Sequence, residues 1–227
     1  MPISILFVTA TSREADILRK IASPYESGKK LVSDNCIMET LVTGVGPIAT
    51  AWQIANWLTL NPKPDLAINL GIAGSFREEI KVGEVVLPVS DCFADAGVEA
   101  DDGSFITLAE AGLEDPDKFP FKGGRITNGN IYIEKASRRL KTVNAISVNT
   151  ATGSLSTRQR LVRKFDPDIE TMEGAAFFYF CKRMNIPFMA FRSVSNMVEA
   201  RNKRRWNIPL ALDNLAAELQ YFILKLR

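Results

Sequence analysis

Two carboxylates and one amide are the side chains best placed to do chemistry. Glu14 follows the apolar run Ile3–Val8 and the polar stretch Thr9-Ala10-Thr11-Ser12-Arg13. Glu173 lies in Ile169-Glu170-Thr171-Met172-Glu173-Gly174-Ala175-Ala176-Phe177, where a short β-capable run meets small helix-opening residues. Asn196 ends Ala190-Phe191-Arg192-Ser193-Val194-Ser195-Asn196. All three fall just past strand ends, where open α/β sheets place their ligands. A carboxylate there can act as a general base, and an amide can hold a heterocycle. Each also has a plainer reading. Glu14 fits a solvated position in the first turn of a helix, and Asn196 fits a turn or a helix cap. Glu173 sits among Met172, Gly174, Ala175, Phe177 and Phe178, so a solvated face does not suit it. An unpaired buried charge is expensive. Ligand hydroxyls or a structural Arg would both answer its need.

The sequence contains no histidine. That excludes Ser-His-Asp and Cys-His triads, histidine metal sites and any imidazole acid or base. Chemistry is left to carboxylates, amides, hydroxyls, Lys and Arg. Three cysteines (Cys36, Cys92, Cys181) have no metal-like spacing, and an odd, sparse set fits reduced thiols in the cytoplasm. No metal site and no cofactor are expected. The net charge of +2 gives no strong pull toward nucleic acid or an anionic membrane. The N-terminus lacks the pattern of a signal peptide, and no apolar run is long enough to span a bilayer.

Two glycine-rich stretches, Gly44-x-Gly46 and Gly71-x-x-Gly74-Ser75, read as turns after strands. They either let backbone approach a ligand or simply turn tightly. Neither matches a dinucleotide fingerprint or a phosphate-binding loop with its Lys. The run Arg201-Asn202-Lys203-Arg204-Arg205, followed by Trp206, fits a nucleic-acid contact, a solvated loop, or one Arg reaching a substrate carboxylate. The first of these supports a non-enzyme alternative, a nucleoside- or nucleic-acid-binding protein. The overall charge favours the other two.

The elements that must position these groups alternate. Buried-strand patterns fall at Ile3–Val8, Asn35–Val42, Leu66–Leu70, Glu84–Val89, Ala145–Val148 and Pro187–Val194. Helical patterns lie between them: one capped by Ser12, one over Ile48–Leu60 with Pro47 in its first turn, and a short one over Glu134–Leu140. A basic helix opens at Ser156, another helix follows Glu173, and an amphipathic one runs from Pro209 to Leu226. Asp91–Gly103 reads as loop. The expectation is an α/β fold, a single domain over 1–227, with a central mixed, mostly parallel twisted sheet flanked by helices.

Taken together and in order, these stretches resemble the nucleoside phosphorylase and nucleosidase superfamily. The resemblance runs over nearly the whole chain. It is carried by the Glu after the first strand, Thr43-Gly44-Val45-Gly46, Ile68-Asn69-Leu70-Gly71-Ile72-Ala73-Gly74, Lys81-Val82-Gly83-Glu84-Val85-Val86, Met172-Glu173 and Arg192-Ser193-Val194-Ser195-Asn196. Within it the chain looks closest to the methylthioadenosine/S-adenosylhomocysteine nucleosidase and futalosine hydrolase families, more sharply the latter. The phosphorylases place an Arg near the Gly71 stretch to hold phosphate, where this chain has Asn69. Water is therefore the expected nucleophile, with Arg13 keeping a phosphorylase open as an alternative. Adenine nucleosidases carry Asp where this chain has Asn196. An amide can donate to O6 or N7 of a 6-oxopurine, whereas an ionised Asp would repel both. Thr150-Ala151-Thr152-Gly153 and Thr171-Met172-Glu173-Gly174 also look more like futalosine hydrolase.

The resemblance implies hydrolysis of an N-ribosyl bond, most sharply futalosine to dehypoxanthine futalosine and hypoxanthine in menaquinone biosynthesis. An adenine nucleosidase stays open as an alternative. Glu14 and Asn196 would be the catalytic pair, one activating water and the other holding the leaving purine. Met172 and Glu173 would bind the ribose, and the Ala151 backbone the base. Ser75 would help position water, while Thr43 and Arg201 would meet the substituent on the sugar. The implied partner is a small-molecule purine nucleoside, with no nucleic acid and no membrane, on a homo-oligomer.

Overall fold

The computed structural model describes residues 2–21, 26–27, 30–33, 36–200 and 202–226. The chain opens with β1 (Ile3–Thr9), α1 (Ser12–Ile21), β2 (Glu26–Ser27), β3 (Lys30–Ser33), β4 (Cys36–Val42) and α2 (Pro47–Leu60). It continues through β5 (Leu66–Ser75), β6 (Val85–Asp91), a β7–β8 hairpin (Gly97–Glu99, Phe105–Thr107), β9 (Ile126–Thr127) and α3 (Ile131–Ser137). The last part is β10 (Thr142–Ser147), α4 (Leu155–Phe165), β11 (Ile169–Thr171), α5 (Gly174–Arg183), β12 (Phe188–Met197) and α6 (Ile208–Lys225).

The main sheet runs β11-β10-β6-β12-β5-β1-β4-β3-β2, and β11 also pairs with β5. That extra pairing closes β11, β10, β6, β12 and β5 into a ring, while β1 to β4 extend from it as an open wing. β1 is parallel to β4 and β5, and β12 is parallel to β5. β12 is antiparallel to β6, and β11 to β5. The expected α/β class and mixed sheet are present, but the sheet is partly closed, and antiparallel seams join β12 to β6 and β11 to β5 within the closed part.

The reason lies in β5. The sequence suggests a strand ending at Leu70 and then a glycine turn, yet β5 continues to Ser75, and its last residues pair with Glu170 and Ile169. Gly71 and Gly74 are not among the positive-φ residues. They make room instead. A side-chain carbon at Gly74 would lie 2.8 Å from Val198 Cγ2 and 3.3 Å from Asn196 Nδ2. Glycine inside a strand marks such close passage.

β1 explains why its sequence is apolar throughout. Ile5 and Phe7 join a core cluster with Ile17 and Leu18 of α1 and Leu215, Leu219 and Phe222 of α6. Leu6 and Val8 face the other cluster, with Ile54 of α2 and Phe177, Phe178 and Cys181 of α5. Both faces are covered, so alternation disappears. Each such side chain stabilises the fold by roughly 1.5–3 kcal/mol on burial.

Local capping accounts for the shifts in helix boundaries. α3 starts earlier than expected because the Asn130 side chain accepts from the N–H groups of Tyr132 and Ile133. α4 is capped by Ser154, not opened at Ser156. The acidic stretch expected as loop, Asp91–Gly103, begins with the buried end of β6 and contains β7, which pairs with β8 just beyond it. The cysteines are free and buried. No helix among the described residues is long and apolar enough to cross a membrane.

Candidate active site

Glu14 is placed by a reciprocal cap, not by a free first turn. Thr11 precedes α1, and its Oγ1 accepts the Glu14 N–H at 3.3 Å. Glu14 Oε2 in return accepts the Thr11 N–H at 2.9 Å and its hydroxyl at 2.8 Å. The cap is thus Thr11, one residue before the Ser12 cap suggested by the sequence, and Ser12 is the first helical residue. One carboxylate oxygen is committed to the cap and the other, Oε1, is aimed at β5, where Ile72 N–H donates to it at 3.3 Å. The side chain is buried. Glu14 is in the first turn of α1, as the plainer reading expected, but buried there and not solvated.

Gly71 is the spacer beside it. A side-chain carbon there would stand 3.0 Å from Glu14 Oε1 and 3.7 Å from Arg192 Cζ and Nη1. Arg192 pairs with Gly71 across the β5–β12 ladder. It is fully buried and donates to the Asn69 carbonyl (3.1 Å), the Phe191 carbonyl (3.1 Å) and Asn69 Oδ1. Asn69 Nδ2 in turn donates to Val8 O at 2.9 Å. Burial pushes the guanidinium below its ordinary pKa, while the nearby carboxylates of Glu173, Glu14 and Asp91 oppose that shift. Asn69, at the position where the resemblance misses a phosphate-binding Arg, is thus an anchor for another Arg. Arg13 is exposed on α1.

Glu173 stands at the N-cap of α5, directly after β11. Its Oε1 accepts the Gly46 N–H at 2.9 Å. Gly46 holds φ 94° and ψ 167°, a conformation open essentially to glycine alone. The Thr43–Gly46 turn is tied to the end of β1 through Thr43 N–H to Thr9 O (2.9 Å) and Gly44 N–H to Ala10 O (3.1 Å). Burial raises the Glu173 pKa, opposed by the Gly46 hydrogen bond and by Arg192, and the Glu14 charge adds to the rise. Among the described residues, no ion pair within contact distance joins Glu173 to an Arg.

Asn196 follows a bulge in β12 and faces Gly74. Its Oδ1 accepts the Ser195 hydroxyl at 2.8 Å, and Nδ2 donates to Met197 O at 3.0 Å. Glu14 and Glu173 thus lie near enough for their charges to act on each other and on Arg192, while Asn196 stands beside Gly74, three residues further along β5 than Gly71.

The remaining residues singled out in the sequence take varied places. Met172 is half-buried beside Glu173. Ala151 is exposed, in a loop held by Glu170, whose carboxylate accepts the Thr152 N–H at 2.9 Å and the Thr152 hydroxyl. Thr43 is buried, with its hydroxyl donating to Gly44 O at 2.8 Å. Ser75 is buried, and its hydroxyl donates to Arg77 O at 2.9 Å and accepts the Arg77 N–H at 3.1 Å. Arg201 lies outside the described residues. Of the basic run, Arg205 pairs with Glu199 at 3.0 Å, and Asn207 N–H to Ser195 O (2.8 Å) brings the end of the segment against β12.

Arg192, Asn69, Glu170 and the Gly46 N–H were not assigned roles from sequence. A signal existed for Arg192, as a charge inside a strand otherwise buried and apolar. The described residues contain no cluster of three or more His, Cys, Asp or Glu suited to a metal ion.

Comparisons with known proteins agree with this fold. The sequence profile of the phosphorylase superfamily matches residues 5–224. A futalosine hydrolase of Streptomyces coelicolor is 31% identical over 77% of this chain and 73% of its own length. A 5'-methylthioadenosine/S-adenosylhomocysteine nucleosidase of Haemophilus ducreyi is 24% identical over 88% of this chain and 87% of its own. The crystal structure of the corresponding nucleosidase from Neisseria meningitidis, in complex with methylthio-immucillin-A, superposes with a TM-score of 0.80. It is 20% identical and covers 98% of this chain and 99% of that one.

Proposed function

Since the chain belongs to the phosphorylase superfamily, we propose that it is a nucleosidase that hydrolyses the N-ribosyl bond of a 6-oxopurine nucleoside, futalosine above others. The observation that carries this reading is a pair of carboxylates, buried Glu14 and half-buried Glu173, whose charges both act on the buried Arg192, with an amide at Asn196. The relative at 31% identity is itself a futalosine hydrolase. The whole site is assigned to one domain, 1–227, acting in a homo-oligomer.

Each group has a task suited to its surroundings. Glu14 Oε1 holds and deprotonates the attacking water, while Oε2 stays locked in the cap that fixes its position. Glu173 accepts hydrogen bonds from the sugar hydroxyls, with Met172 packed on the ring. Those bonds strengthen as positive charge develops on an oxocarbenium-like sugar. The Arg192 charge opposes the burial that raises the Glu173 pKa. The step from Gly71 to Gly74 along β5 spans about 10 Å. That places Asn196 far enough from Glu14 for water and the scissile bond to lie between them. The amide has one N–H committed to Met197 O, which leaves the other for N7 or O6 of the leaving purine. The Ala151 backbone contacts the base, Ser75 supports the water, and Thr43 and Arg201 meet the substituent on the sugar.

The test is a nucleoside panel of futalosine, inosine, methylthioadenosine and aminodeoxyfutalosine, with the released base identified by chromatography. Hypoxanthine from futalosine is expected. Release of adenine without hypoxanthine would overturn the role of Asn196 and favour an adenine nucleosidase. Tight binding of all four without turnover would favour a binding protein.

A further inference from the structure

Beneath the head of α5 lies a second buried carboxyl that the reaction does not use. Asp91, the last residue of β6, is 1% exposed. Its Oδ1 accepts the Cys92 N–H at 2.8 Å and the Ser147 hydroxyl at 3.1 Å. Oδ2 has no hydrogen-bond partner. A side-chain carbon at Gly174 would fall 2.1 Å from that oxygen. The carboxyl therefore presses on the backbone of the residue after Glu173, and only glycine fits above it.

The hydroxyls between Asp91 and α5 have one consistent direction. Gly174 N–H donates to Thr171 Oγ1 at 3.3 Å, and Ala175 N–H donates to Ser147 Oγ at 2.8 Å. Ser147 spends its single proton on Asp91, so the Thr171 hydroxyl, 3.1 Å away, must donate to Ser147. The chain runs from the first amides of the helix through two hydroxyls and ends on Asp91 Oδ1, which accepts. Removing that end leaves a buried hydroxyl without an acceptor and frees the turn to shift.

We propose that Asp91 is a positioning residue for the ribose-binding carboxylate: through Ser147 and Gly174 it fixes the first turn of α5, and with it the place where Glu173 meets Gly46. The inference rests on the ribose-binding reading of Glu173. Its effect falls on kcat more than on KM, because the sugar contacts that Glu173 makes are strongest in the transition state.

The experiment uses the full chain and the nucleoside it turns over. Asp91→Ala is expected to lower kcat roughly 100-fold, the scale of an ångström-sized misplacement, with KM changed by less than about 3-fold. Asp91→Asn keeps the acceptor and the shape, and should recover most of the loss. In a Glu173→Ala background, Asp91→Ala should cost less than about 2-fold more, because the two act as a unit. Ser147→Ala carries the same test where Asp91→Ala does not fold. A crystal structure of either variant should show the 2.9 Å contact between Glu173 and Gly46 lost. Unchanged kcat, additive losses in the double variant, or an intact contact would overturn the inference while leaving the nucleosidase reading in place. A wild-type chain inactive on every nucleoside would instead sink that reading and the inference with it.

Discussion

Gly71→Ala offers a test of the site whose size follows from distances. No positive φ is involved at this position, so the backbone accepts alanine and only space decides. The new carbon would lie 3.0 Å from Glu14 Oε1, where ordinary contact begins near 3.4 Å. The carboxylate must retreat by about 0.4 Å, against a misplacement scale of roughly 100-fold in rate per ångström. It cannot swing away cheaply, because Oε2 is held by Thr11 at 2.9 and 2.8 Å. The Ile72 contact, already 3.3 Å, would be lost. The expected cost is about 6-fold in kcat, or roughly 1 kcal/mol of transition-state stabilisation. Stability should barely move, because the lower chain entropy of alanine in the unfolded state is worth about 0.4–1 kcal/mol and offsets the contact. Steady-state release of the free base, followed alongside thermal unfolding, separates the two effects. A variant with wild-type kcat would refute the placement of Glu14 as the base. A fall in stability of several kcal/mol with kcat intact would refute the spacer role of Gly71.

Other consequences can be measured in the same way. Gly46→Ala meets no atom within 4 Å, yet its φ of 94° is strained for any side chain. It should lose about 1–3 kcal/mol in denaturant unfolding and weaken the N–H contact to Glu173. Arg192→Met leaves Asn69 Oδ1 and two carbonyls without their donor, and the carboxylates without a cation. A destabilisation of about 3–5 kcal/mol and loss of turnover are expected, and a stable, active variant would contradict both. The raised pKa of Glu173 places the acid limb of kcat/KM above the ordinary carboxylate value, with activity falling as pH drops through it, which a pH–rate profile reads directly. Asp91 is held by burial at a pKa of about 7 against an ordinary 3.8. Its stabilising contribution is therefore full below pH 3.8 and is lost as pH rises through 7. The advantage of Asp91→Asn in unfolding free energy should grow over that window toward about 4 kcal/mol, and a pH-independent difference would contradict the assignment.

The alternating elements were legible because buried strands and amphipathic helices write their periods into the sequence. The closure of the sheet was not. It depends on β5 passing through Gly71 and Gly74, and a glycine that admits a neighbour looks in sequence like a glycine that turns. Glu14, Glu173 and Asn196 were readable because each is polar at the end of an apolar run. The Gly44–Gly46 turn was readable from its glycines after a strand, and Met172 was singled out through the family resemblance alone. The supports were hidden because their partners are distant in the chain. Asn69 meets Arg192 across 123 positions, and Glu173 meets Gly46 across 127. Ser147 and Asp91, 56 positions apart, read as one residue of a short strand and the first residue of a loop until the fold buries them together.

The central claim is that water, activated beside Gly71, displaces a 6-oxopurine from its sugar. Futalosine incubated with the chain in phosphate-free buffer made with 18O water tests it most directly. One hypoxanthine per futalosine is expected, with the isotope in the hydroxyl at the anomeric carbon and no change in rate when phosphate is added. Release that requires phosphate and yields a sugar phosphate, or no release at all, would contradict the account.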